Sequence, residues 1–363
     1  MIHYIILVLM VGFLTFLADK FYKKSFASSV VFSAISILVL CVFASIRDYS
    51  VGIDLLGYGI PMFKADTSIA AVLDVPTRYG TIEYLYHFTN FVINSLFGSP
   101  RVFLFVHQLV MSLLVFSIAF REKEKHSTSI CLTMITYLFF YYFMSFNIIR
   151  QTLSCTILLW GYKYLEEENY KKYLLTALVA TLFHQSSLIA LVCPIIYKIC
   201  SKVKSGAIII PAITASAIFA IYQLLSLAVM FIPTLSKYFG YLKGDSDISW
   251  KMILMKLILL AFVIIFYKKS NASKSSENKP LLCMVLLDAV FYLSTIRIKF
   301  GYRLSYPFLP YFILLIPRID AGLESKKDKA FFRIGITALL VGYFVVRFII
   351  IGFDGIYPYM FGV

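Results

Sequence analysis

The chain has 363 residues, of which 60% are hydrophobic and 15% charged, with a formal charge of +15 and a mean hydropathy of +0.84. A soluble globule carries about 25% charged residues, so this composition excludes one, and apolar runs of membrane-spanning length recur without the alternation of barrel strands. The Lys and Arg residues are spread over loops and form no nucleic-acid-binding patch or motif; they fit the positive-inside rule and anionic lipid, and no nucleic-acid partner is expected.

In chain order, apolar segments stand at about 2–18, 29–46, 101–120, 129–147, 150–165, 172–184, 185–198, 206–232, 251–267, 281–297, 304–317 and 331–352. They predict an all-α polytopic protein of about 11–12 transmembrane helices, with residues 1–363 as a single integral membrane domain. The first segment has no basic residue before it and Lys20, Lys23 and Lys24 after it, which reads as an uncleaved span with its N-terminus outside. Basic loops at 19–28, 121–127, 166–172, 198–204 (with Lys198, Lys202 and Lys204), 268–279 and 318–333 are assigned to the cytoplasm. The opposite side then receives 47–100, the turns at 147–151, 184–186 and 297–303, the loop 233–250 and the C-terminus.

Two segments decide that parity. In 82–97, Glu83, His87, Asn90 and Asn94 recur at i, i+4, i+7 and i+11, on one face of a helix. Such a helix lies in the interface plane, so 82–97 is placed flat on the outer surface, its polar face over a cavity or toward water. The stretch 172–200 is long for one span. Folding it into a short helical hairpin keeps Lys198, Lys202 and Lys204 inside and leaves His184 at a re-entrant, cavity-lining turn. The six cysteines form no CxxC pair and lie in apolar runs, so they read as small core residues. Segment 268–279, KKSNASKSSENK, is a polar linker whose Asn271-Ala272-Ser273 matches a glycosylation acceptor on the wrong side.

Four polar groups fall on the outer side. They are Arg47 to Asp54 with Tyr58; Asn147, Arg150 and Gln151; His184 to Ser187; and Arg297, Lys299, Tyr302 and Arg303. Ionisable residues at membrane depth usually line a cavity and act there. Arginine keeps its charge when partly buried and forks onto phosphate oxygens, so Arg47, Arg150, Arg297 and Arg303 are candidate ligands of a diphosphate. Arg150 is the strongest, because little acid stands near it in sequence. Asp54, Glu83 and His184 are candidate catalytic groups. Gln151, Tyr58, Tyr302 and His87 are candidate substrate contacts. Asp288, inside the run LLDAVFYL, calls for a partner within the bundle. No DxD, HExxH or cysteine cluster points to a metal, and no GxSxG or P-loop points to serine acyl transfer or ATP hydrolysis.

At these residues the chain resembles the EpsG family of bacterial polysaccharide polymerases, which are Wzy-like proteins of O-antigen, capsule and exopolysaccharide assembly. The resemblance rests on Arg47 with Val51-Gly52-Ile53-Asp54 and Tyr58; Arg150-Gln151 opening a span; Phe183-His184-Gln185-Ser186-Ser187-Leu188; Arg303; and the C-terminal Tyr357-Pro358-Tyr359. The family often has threonine before the Asp54 position and an acid–proline pair near Glu83, where this chain has Ile53 and Glu83-Tyr84. The order of span, acid-bearing outer loop, interfacial helix and next span is also similar to membrane glycosyltransferases of GT-C type. The resemblance implies a multi-pass enzyme of the bacterial cytoplasmic membrane with its site facing the periplasm or cell exterior. Its substrates would be polyprenyl-diphosphate-linked glycan donor and acceptor, with no cofactor and no metal, and with a chain-length regulator protein as an expected partner. A flippase of the same lipid-linked glycan and a membrane acyltransferase acting on the polymer are the alternatives.

Overall fold

A computed structural model describes residues 1–203, 205–233, 236, 239–242 and 249–362; Lys204 and most of the loop 233–250 lie outside the described residues. Among these residues the chain is helical throughout, and its extended pairing is one antiparallel bridge between Arg47 and Phe361. The helices are α1 Ile2–Phe21, α2 Phe26–Ser45, α3 Ile60–Ala65, α4 Ile69–Leu73, α5 Val75–Tyr79, α6 Tyr84–Phe97 and α7 Pro100–His126. They continue as α8 Ile130–Tyr137, α9 Ile149–Glu166, α10 Tyr170–Phe183, α11 Cys193–Lys202, α12 Gly206–Phe219, α13 Ile221–Phe231 and α14 Phe239–Leu242. The last four are α15 Trp250–Lys269, α16 Asn278–Leu293, α17 Phe312–Gly322 and α18 Lys326–Phe344.

Among the described residues six helical stretches are long and apolar enough to cross a membrane alone, and a seventh arises if the bent pair α12 and α13 counts as one. The other expected spans occur as shorter or interrupted helices. Segment 129–147 passes from α8 through a π turn into a 3-10 turn, and 304–317 begins as 3-10 turns before α17. Their aromatic and aliphatic side chains, from Tyr137 to Phe146 and from Tyr306 to Ile316, are mostly fully buried. Irregular backbone at membrane depth is tolerated where protein covers it.

Small residues set the closest helix contacts. Ser29 Oγ donates to the Ala18 carbonyl across the α1–α2 hairpin at 2.8 Å. A Cβ on Gly161 of α9 would stand 2.7 Å from Thr176 Cγ2 of α10, so the hairpin that carries Arg150 and His184 closes only with glycine there.

Charges sort the two ends of the bundle. At one end Lys123 meets Asp19 at 2.8 Å, Lys125 meets Glu166 and Glu277, each at 3.3 Å, and Arg333 meets Asp320 at 2.8 Å. Arg318 bonds to Glu122 and Glu166, each at 2.6 Å, and to Asn278 at 3.1 Å. The expected cytoplasmic loops 19–28, 121–127, 166–172, 268–279 and 318–333 therefore meet at one end. Residues 47–55, 147–151, 184, 303 and 354–361 meet at the other. The stretch 172–200 does fold back: α10 runs to His184 at the second end, and after a 3-10 segment α11 returns beside α16, whose first residue Asn278 belongs to the first.

The polar face of α6 looks inward, not toward water. Glu83, His87 and Asn90 are fully buried, whereas Phe88, Leu96 and Phe97 are exposed. A helix that hides its polar face and shows its apolar one suits an apolar surround. Asp288 finds its partner in Lys256, whose Nζ donates at 2.7 and 2.9 Å, with both residues buried. Lys256→Met alone is expected to destabilise by about 3–5 kcal/mol, because it strands a buried carboxylate. Joint replacement of both by apolar residues should return most of that loss in thermal unfolding of the detergent-solubilised protein.

Candidate active site

The site is built around the α9–α10 hairpin. Arg150 sits in the first turn of α9, where the positive end of the helix dipole disfavours a cation. A carboxylate from another element offsets this: Glu83 Oε2 accepts from Arg150 Nη1 at 2.5 Å. The other oxygen, Oε1, accepts from His184 Nδ1 at 2.5 Å and from the Gln185 backbone N–H at 3.3 Å. An ionised carboxylate only accepts, so Nδ1–H is the donor of this bond, and with a single ring proton Nε2 is left with a lone pair. Among the described residues Nε2 has no partner, and neither the Arg150 nor the His184 side chain is fully buried.

His184 ends α10 in an extended conformation (φ −157°, ψ 122°), and residues 185–192 follow as a 3-10 turn. Each polar residue of His184-Gln185-Ser186-Ser187 is anchored. Gln151 Nε2 donates to Ser186 Oγ at 3.0 Å and to the Arg303 carbonyl at 3.3 Å. Ser187 Oγ lies 2.5 Å from Ser154 Oγ, which donates to the Ala180 carbonyl. Gln151 thus ties α9, the His184 turn and the Arg303 turn together.

A small crevice opens at this point, lined by Asp54, Tyr58, Arg150, Gln151, His184 and Arg303 together with Tyr86 and Asn147. Burial pushes the Asp54 carboxyl above its usual range; Arg303 and Arg150 pull it back and Asp354 pushes it further up. In Glu83 burial also acts upward, but the His184 hydrogen bond and the Arg150 charge outweigh it and hold the carboxyl below its usual range.

The remaining candidates stand elsewhere. Glu83 is fully buried behind Arg150 and His184 and does not line the crevice, so it meets the crevice only through those two side chains. Arg47 is also buried; it donates to the carbonyls of Val51 at 3.2 Å, Phe146 at 3.1 Å and Ala44. Its guanidinium joins the start of the Asp54 loop to Phe146 and does not line the crevice. His87 is fully buried, bonds to Asp66 at 2.7 Å and stacks on Tyr79, so it is a packing residue of the outer helices. Arg297 is exposed over Phe219, and Tyr302 packs edge-on against Tyr306 and Phe353; neither lines the crevice.

Three acids and amides went unassigned in the sequence reading. Asn147 lines the crevice, Asp354 stands behind it, and Asp66 anchors His87 and Asn90. Arg347, inside the last apolar run, was the available signal for Asp354, since an intramembrane arginine calls for an acid. At the opposite end Glu122, His126 and Glu166 come close enough together to hold a cation. The Arg318 guanidinium already bonds to both carboxylates, which makes this an ion-pair cluster.

Fold and site together define a polytopic α-helical membrane protein with cations, a carboxylate and a histidine gathered in one crevice at one end of the bundle. The chain belongs to the EpsG family, whose profile matches residues 30–361. That membership supports a function of polysaccharide-polymerase type. No curated protein and no solved structure matches the chain.

Proposed function

We propose that the protein is a glycosyltransferase that joins polyprenyl-diphosphate-linked oligosaccharide repeat units into a bacterial surface polysaccharide. The single observation behind this reading is Glu83, which holds Arg150 on one oxygen and His184 on the other and turns both toward the crevice of Asp54 and Arg303. The basic loops gather at the far end of the bundle, and positive charge favours the cytoplasm, so the crevice faces the periplasm or cell exterior of the cytoplasmic membrane.

The acceptor hydroxyl attacks the anomeric carbon of the donor sugar. A new C–O bond forms, the C–O bond to the diphosphate breaks, and its electron pair leaves on the diphosphate oxygen. His184 Nε2 takes the hydroxyl proton, with Glu83 stabilising the imidazolium that results. Arg150 and Arg303 neutralise the charge that develops on the leaving diphosphate, and Asp54 faces the positive charge that develops on the sugar. Gln151 keeps these segments in register. O-antigen, capsule and exopolysaccharide are all products of this chemistry, and a chain-length regulator would act outside the crevice.

The test uses purified protein and lipid-linked repeat units extracted from host cells that lack it. A polymer ladder is the expected product, and His184→Ala lowers its rate by about 10²–10⁴-fold. A flippase leaves chain length unchanged, so an active, folded preparation that lengthens nothing would sink the polymerase reading. Acylated single units as the only product would favour the acyltransferase.

A further inference from the structure

The loop that presents Asp54 is held from two sides by groups that the catalytic reading leaves unused. Asn147 Oδ1 accepts the Asp54 backbone N–H at 2.6 Å, and Asn147 Nδ2 donates to Asp354 Oδ1 at 3.0 Å. The other Asp354 oxygen accepts from Arg347 Nη2 at 2.8 Å and from Nε at 3.3 Å. Arg347 is buried in the helical extension of α18 and also reaches the Tyr306 hydroxyl at 3.1 Å and the Tyr343 hydroxyl at 3.3 Å. Tyr306 immediately follows the turn that bears Arg303. Beside Asn147, the Gly52 N–H donates to the Gly355 carbonyl at 3.0 Å. Gly52 takes φ +107°, and a Cβ there would run into the Phe146 carbonyl.

The donor–acceptor pattern is restrictive. A backbone N–H only donates and a carboxylate only accepts, so the link needs one short side chain with an acceptor and a donor. Asn147 supplies both, three residues before Arg150. Arg347 satisfies the charge of Asp354, so the carboxylate holds Asn147 without an unpaired buried charge.

We infer that Asn147 is a positioning residue that sets Asp54 against Arg150 and Arg303, with Asp354 and Arg347 as its buried support from the last membrane helix. This rests on the polymerase reading. It assigns the C-terminal turn 353–355 a part in the site, although that turn does not line the crevice. A misplacement of about 1 Å at a reacting group can cost on the order of 10²-fold in rate, and Asn147 is the side chain that bonds the Asp54 amide.

The experiment measures ladder extension from the same extracted lipid-linked units, together with amide exchange across residues 50–58. Asn147→Ala should lower kcat by about 10–100-fold with KM nearly unchanged, and should speed exchange in 50–58. It should add no further loss to Asp54→Asn, because two residues acting through one group are not additive. If Asn147→Ala fails to fold, Asn147→Ser, which keeps a polar group but is too short to join both partners, leaves the Asp354–Arg347 pair intact and is read the same way. Unchanged kcat, a rise in KM alone, losses that add to those of Asp54→Asn, or unchanged exchange would each overturn the positioning role while wild-type ladders keep the polymerase reading standing. Absence of wild-type ladders would remove both.

Discussion

Glu83→Gln should abolish detectable ladder formation while the protein still reaches the membrane. The glutamine keeps the shape but loses the charge that holds Arg150 in the first turn of α9 and fixes the His184 proton on Nδ1. The expected fall in rate is about 10²–10⁴-fold, the usual worth of an aligned general base. Stability should fall as well, by roughly 3 kcal/mol, since removing one partner of a buried ion pair leaves the others uncompensated. The pH dependence follows from the lowered carboxyl of Glu83. A carboxyl whose folded value lies below its unfolded one stabilises above the unfolded value and loses that stabilisation as pH falls through the folded value. The gap in melting temperature between wild type and Glu83→Gln should therefore be full above the ordinary Glu value of 4.5 and close on acidification below it. A gap that widens in acid, or normal ladders from a folded Glu83→Gln protein, would refute the bridging role.

Arg150→Lys should be nearly as damaging as Arg150→Ala. The guanidinium spends Nη1 on Glu83, and its remaining donors make no hydrogen bond among the described residues, so one planar group spans carboxylate and crevice. Lysine is a point charge without that fork, so it satisfies Glu83 or the diphosphate but not both. The loss should be about 10²–10³-fold in kcat, comparable to removal of one donor that stabilises transition-state charge. Arg297→Ala, on a side chain outside the crevice, should leave the rate within a few-fold of wild type. Full-length ladders from Arg150→Lys cells would count against a bidentate role, and a large loss with Arg297→Ala would relocate the anion site.

Much of the site was legible in the sequence because its residues interrupt apolar runs. Arg150 and His184 stood out for that reason, and so did Asp54 between glycines. Their common side followed from counting basic loops, provided that 82–97 does not cross and 172–200 folds back. The misplacements have one cause. Sequence spacing places Glu83, His87 and Asn90 on one helix face but does not say what covers that face. Asp66 and His184, one upstream and one about a hundred residues downstream, cover that face and decide between the cavity and the water that spacing left open. Arg47 misled in the same way: a cation next to a span resembles a phosphate ligand until three backbone carbonyls are seen to take its donors.

By itself the sequence determined a helical membrane protein and its family, and it marked Arg150 and His184 as polar interruptions of apolar runs, because hydropathy and charge are local properties that bilayer and water read directly. Only the tertiary structure decided that one buried carboxylate serves both residues, and that Asn147 and Asp354 stand behind Asp54. Hydrogen bonds between residues 67, 101, 93 and 207 positions apart depend on how helices pack, and no periodicity along the chain encodes which distant partner a buried polar group will meet.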